Sequence, residues 1–125
     1  MKTNDKAGET GAITIYHNPA CGTSRNALQA MIDAGLAPRV VKYLETGWRR
    51  SELVELLSAM ALRPRDILRV RGTPAEDLGL TKPGVSDEAI LQAMVAHPIL
   101  VERPIVVTPR GTALCRPWEK VKTLL

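Results

Sequence analysis

Phenylalanine is absent, and the 125 residues hold only two Trp and two Tyr. With so few rings to stack on bases, and with the basic side chains scattered, a net charge of +4 does not make a nucleic-acid surface. Cysteine is scarce too. Cys21 and Cys115 are too few for a disulfide scaffold, so any sulfur chemistry rests on one or two reduced thiols. Those thiols and the two histidines, His17 and His97, are widely spaced, with no C-x-x-C or H-x-x-x-H, a poor set for zinc. Also missing are the phosphate loop G-x-x-x-x-G-K and the dinucleotide fingerprint G-x-G-x-x-G. The residue six after Cys21 is Ala27, which removes the C-x5-R loop of tyrosine-phosphatase-like enzymes. No apolar run approaches the roughly 20 residues that span a bilayer. Met1 to Gly11 is polar and lacks the apolar stretch of a secretory signal. The expectation is a mobile tail over 1–11 on a cytoplasmic protein, followed by a single domain over 12–125.

A hydrophobic content of 45% with 24% charged residues suits one globular core. Eleven of the seventeen cations are arginine, the side chain whose planar fork grips oxyanions, so small oxyanions are plausible ligands although most of these arginines should simply be solvated. The first element, Ala12 to Tyr16, reads as a strand entering the turn His17-Asn18-Pro19-Ala20. After Cys21-Gly22, Thr23 or Ser24 can cap a helix with Leu28, Met31 and Ile32 on one face and Gly35 closing it. Arg39 to Leu44 supplies a second strand through Val40, Val41 and Tyr43. Three helices should follow. One is capped by Ser51 and lined by Leu53, Leu56, Leu57 and Met60; a short one runs from Pro64 through Arg69; a third is capped by Ser86, carries Ile90, Leu91, Met94 and Val95, and stops at His97-Pro98. Pro104 to Thr108, a turn at Pro109-Arg110-Gly111 and Ala113 to Cys115 form a hairpin, and Pro117 opens a last short helix. A β-α-β half and a β-β-α half around a helical insertion is the order of a thioredoxin-like α/β fold with a mixed sheet; another α+β topology is the alternative.

Chemistry concentrates at Cys21, which follows a strand and precedes a helix, so its sulfur should meet unpaired backbone N–H groups and the positive end of the helix dipole. A free thiol with pKa about 8.5 is only ~3% ionised at pH 7, whereas helix N-termini and cations bring thiols down to roughly 3.5 to 7.5. His17, if protonated, and the hydroxyls of Thr23 and Ser24 are candidates to support the thiolate. The competing reading of Cys21 is a small core residue, which its polar turn disfavours. Cys115 lies in an apolar strand pattern and should be buried, and His97 receives no role. C-x-x-S lacks a resolving thiol, so an oxidised Cys21 needs a thiol from outside, or Cys115, to reduce it. Arg103-Pro104 is a candidate cis peptide, with only about a 5% base rate behind it.

The stretch Tyr16-His17-Asn18-Pro19-Ala20-Cys21-Gly22-Thr23-Ser24-Arg25-Asn26 strongly resembles the glutaredoxin-dependent arsenate reductase family. The likeness resumes at Ile67-Leu68-Arg69, at His97 through Pro109 and at Gly111 through Pro117, covering essentially all of 12–125. The resemblance implies that Cys21 attacks arsenate as a thiolate, that Arg69, Arg103 and Arg116 hold the oxyanion, that His17 supports the thiolate and that Pro104 is cis. It further implies that glutathione is co-substrate, that glutaredoxin restores the thiol, and that no metal, flavin or nucleotide is bound. The alternatives are a thiol oxidoreductase of the same fold with another substrate, and a redox-responsive regulator that binds RNA polymerase, which C-x-x-S disfavours.

Overall fold

The structure, a computed structural model, describes residues 13–125; the expected tail over 1–11 lies outside the described residues, as does Ala12. Contacts divide the chain into two units. The first comprises the described residues up to Tyr43 together with Arg103–Leu125, and the second Leu44–Glu102.

The first unit carries the sheet. Strand β1 (Thr14–Tyr16) leads into helix α1 (Gly22–Asp33), which returns to β2 (Arg39–Val41), and β3 (Ile105–Thr108) and β4 (Gly111–Leu114) form the hairpin. The strand order is β2-β1-β3-β4, with β1 parallel to β2 and antiparallel to β3. Ile15 pairs with Val40 on one side and Val106 on the other, and every residue of β1 and β3 is buried except the half-buried Val107. The hairpin turns on Pro109-Arg110, and Gly111 takes φ 146, a conformation that side chains rarely adopt.

Beneath the sheet, Ile15, Ala27, Met31, Val106, Cys115, Val121 and Leu124 form one core, so Cys115 is buried as expected. Ser24, Ala27 and Met31 mark the buried stripe of α1, whereas Ile32, placed on that face from sequence, is 50% exposed. One residue of offset rotates a side chain by about 100°, enough to carry it off a narrow stripe. The helix closes at Gly35 (φ 85), whose N–H bonds the Ile32 carbonyl while Leu36 N–H bonds that of Met31.

The second strand ends sooner than its β-branched pattern indicates. Tyr43 opens a one-turn helix, α2 (Tyr43–Thr46), which buries its ring without a further rung of sheet. The last element, Trp118–Leu124, is a 3-10 segment with Pro117 as its N-cap. Both Arg103-Pro104 and Arg116-Pro117 are cis; only the first was anticipated.

In the second unit α3 (Arg50–Met60) buries Leu53, Leu56 and Leu57. It starts before Ser51, which sits in its first turn, because Glu52 accepts the Arg49 N–H and closes that end. A 3-10 turn, Pro64–Ile67, takes the place of the expected helix to Arg69, since Leu68 leaves it to pair with Val101. Helix α4 (Asp87–Ala96) begins as expected, with Ser86 Oγ accepting the Ala89 N–H, and stops at His97-Pro98. A 3-10 turn, Pro98–Leu100, follows. The elements are those of a thioredoxin-like fold, with the second unit inserted between β2 and β3.

Candidate active site

The turn between β1 and α1 is built from its own polar groups. Asn18 supplies three of them: its carbonyl accepts the Cys21 N–H at 3.0 Å, its side-chain Oδ1 accepts the Ala20 N–H at 2.9 Å, and its N–H donates to Ser24 Oγ at 3.1 Å. His17 N–H bonds the Val41 carbonyl at 2.8 Å, which ties the turn to β2. Cys21 is therefore the N-cap of α1, and its carbonyl accepts the Arg25 N–H. No hydroxyl, amide or carboxylate caps this helix, so the first-turn N–H groups are left to the sulfur.

Two guanidiniums reach the same sulfur from the far end of the chain. Arg116 Nη1 lies 3.7 Å from Cys21 Sγ and also donates to the Arg103 carbonyl at 2.9 Å, which fixes the fork. Burial alone would push the Cys21 thiol up. The Arg103 guanidinium, the Ser24 backbone N–H and Arg116 outweigh it and bring the thiol from an ordinary 9.0 down to about 7. About half of the sulfur is then thiolate at neutral pH, against about 1% for a thiol at 9. Cys115 is the opposite case: burial pushes its thiol up to about 11, so it stays protonated and inert.

Arg103 carries the most informative defect. Its Nε and Nη1 are buried without a hydrogen-bond partner among the described residues. Leaving a buried donor unpaired costs roughly 1–3 kcal/mol, more for a charged group, and an oxyanion beside the sulfur would satisfy both nitrogens.

The supporting residues are arranged differently from the sequence expectation. The Ser24 hydroxyl bonds His17 Nδ1 at 2.6 Å, and it is the Ser24 backbone N–H that serves the sulfur. His17 is 5% exposed, and burial, with the positive charges of Lys42 and Arg25, lowers its pKa. The imidazole is held neutral, so it braces Ser24 and does not lend a positive charge to the thiolate. The Thr23 hydroxyl has no hydrogen bond among the described residues, and a Cβ at Gly22 would meet only Arg25 Nη2, at 3.7 Å. Thr23 thus makes no side-chain hydrogen bond to the sulfur, and Gly22 has no side chain to make one.

Arg69 belongs to the second unit, where its Nη1 donates to Glu102 Oε1 at 2.9 Å. Cys21, Arg103 and Arg116 are thus brought together within the first unit. Sequence reasoning missed Asn18, the His17–Ser24 bond and Glu102. Asx-turn residues such as Asn-Pro announce a bend, but nothing in their spacing tells which backbone group they will satisfy. Among the described residues no group of three or more His, Cys, Asp and Glu side chains could hold a metal ion, and no helix is long and apolar enough to cross a membrane.

The chain is similar to several known proteins. The model of the ArsC family matches residues 16–124. An arsenate reductase of Rhizobium meliloti is 52% identical over 113 residues, covering 90% of this chain and 81% of the relative. One from Escherichia coli K12 is 50% identical over 113 residues, covering 90% and 80%. Among solved structures, an arsenate reductase from Vibrio cholerae superposes with a TM-score of 0.85 at 39% identity, covering 90% of this chain and 97% of that one.

Proposed function

The chain belongs to the ArsC family, and on that premise we propose that it is an arsenate reductase that works through the Cys21 thiolate. The observation that carries this reading is a sulfur brought to about 7 with two guanidiniums beside it, one of which holds buried, unpartnered N–H groups. Arsenate near neutral pH carries about two negative charges, as phosphate does, and an isolated thiolate would repel it. Arg103 and Arg116 reverse that sign. They draw the oxyanion to the sulfur and absorb the charge on its oxygens as the S–As bond forms and one hydroxyl of arsenate, taking a proton from solvent, leaves as water. Arg69 is assigned as the third oxyanion ligand by resemblance alone.

The rest of the cycle needs a second thiol. Glutathione attacks the Cys21 sulfur of the adduct, the S–As bond breaks with its electron pair going to arsenic, and arsenite leaves. Two electrons have then passed from two sulfurs to As(V), and Cys21 is left as a mixed disulfide with glutathione. Glutaredoxin exchanges that disulfide and restores the thiol. The C-x-x-S arrangement fits this dependence, because Ser24 cannot form a disulfide and Cys115 is buried and protonated. Electrons come from a diffusible co-substrate, so no resident prosthetic group is needed, and a glutathione-rich cytoplasm is the fitting compartment.

The test is purified reduced protein with arsenate, glutathione and glutaredoxin, following NADPH consumption through glutathione reductase together with arsenite release. NADPH loss and arsenite should appear in equal amounts and require all three additions. Turnover of other thiol-reducible substrates with none of arsenate would overturn the substrate assignment and leave a thiol reductase.

A further inference from the structure

The geometry points to Glu102 as a positioning residue for Arg69, an inference that rests on Arg69 being an oxyanion ligand. The contact is set up by the backbone. Arg69 N–H bonds the Leu100 carbonyl at 2.7 Å and Glu102 N–H bonds that of Ile67 at 2.9 Å, on either side of the antiparallel bridge between Leu68 and Val101. Ile67, Leu100 and Val101 are fully buried, so this two-rung ladder cannot slip without exposing its apolar side chains. The far side of Arg69 is held too, because Thr73 Oγ1 donates to its carbonyl at 2.7 Å.

On this fixed frame Glu102 takes one guanidinium nitrogen, Nη1, and Arg69 has no other side-chain partner among the described residues. The two side chains are only 17% and 24% exposed, so water competes weakly for the bond. An unrestrained arginine samples many rotamers and loses that freedom on gripping a ligand; one already held by a carboxylate has lost most of it beforehand. Glu102 spends one edge of the fork on orientation and leaves the other nitrogens for an anion.

Steady-state kinetics of Glu102→Ala, Glu102→Gln, Arg69→Ala and the double variant Arg69→Ala/Glu102→Ala test this. Glu102→Ala should raise the arsenate KM about tenfold, the usual weight of a charge-assisted hydrogen bond, with kcat within about twofold. The Cys21 titration midpoint should not move. Glu102→Gln keeps an acceptor and should hold KM within about threefold of wild type. In the Arg69→Ala background the KM effect of Glu102→Ala should fall well below its effect in wild type, as expected of coupled residues. An unchanged KM in Glu102→Ala, beside a raised KM in Arg69→Ala, would overturn the positioning role and spare that of Arg69. A wild-type KM in Arg69→Ala would remove the oxyanion reading of Arg69 and the inference with it. Additive effects in the double variant would also reject it, since Glu102 would then act elsewhere. Should Glu102→Ala not fold, Glu102→Gln carries the same comparison, its smaller KM rise shrinking in the Arg69→Ala background.

Discussion

Removing one hydroxyl should separate the bracing of the site from its chemistry. Ser24 Oγ is shared by two buried partners, His17 Nδ1 at 2.6 Å and the Asn18 N–H at 3.1 Å, and Ser24 itself has no exposure to solvent. Ser24→Ala deletes both bonds and leaves two polar groups buried, at roughly 1–3 kcal/mol each. The expected loss is about 2–6 kcal/mol. For a chain of this length 1 kcal/mol moves the melting temperature by roughly 4 °C, so the variant should melt about 8–24 °C below wild type. The Cys21 thiol should rise by less than about one unit, because Arg103 and Arg116 remain and only the alignment of the Ser24 N–H suffers. Thr23→Ala is the control, since the Thr23 hydroxyl has no hydrogen bond among the described residues; it should melt within about 2 °C of wild type. Thermal melts followed by circular dichroism, with a thiolate titration of each variant, give both quantities. Equal melting temperatures for the two variants would refute the reasoning, because the 2.6 Å bond would then hold nothing together.

Cys21→Ser should abolish arsenate turnover, a hydroxyl being far too weak a nucleophile near neutral pH, whereas Cys115→Ser should stay active while losing about 1–3 kcal/mol of stability for a hydroxyl placed in an apolar core. Coupled turnover assays and thermal melts check both, and equal loss of activity would reject a single-thiol mechanism. The His17 imidazole should titrate below 6.5 by NMR, since burial, Lys42 and Arg25 all favour its neutral form. Its unfolded form binds a proton more readily, so the stability it contributes is complete above pH 6.5 and is lost as the pH falls toward the lower folded value. A midpoint above 6.5 would show a charged histidine and contradict the brace assigned to it.

The order of the elements was legible because it follows from short-range physics. The β-branched run ending at Tyr16, the Asn-Pro turn, Gly35 at a left-handed position and Ser86 at a helix start each act within a few residues. Boundaries set by distant partners were not legible. The helix expected through Arg69 stops at Ile67 because Leu68 finds Val101, 33 residues away, and β2 stops at Val41 because Tyr43 is buried by a helical turn. The same division holds in the site. Cys21 at the mouth of a helix could be read from its neighbours, while Arg103 and Arg116 were singled out by resemblance and only folding brings them to the sulfur. The role of the Ser24 hydroxyl was misassigned because direction is a property of the folded turn. A hydroxyl three residues after a cysteine is near the sulfur in sequence, yet this one points to His17.

The most direct measurement is a spectrophotometric titration of the thiolate at Cys21, in wild-type protein and in Arg103→Ala/Arg116→Ala, with Cys115 replaced by serine in both. A midpoint of about 7 that climbs toward the ordinary 9.0 when the two guanidiniums are removed is the expected result. A wild-type midpoint at or above 9.0, or one that the two substitutions leave in place, would mean that these arginines do not hold the sulfur as an anion, and the proposed attack on arsenate would lose its nucleophile.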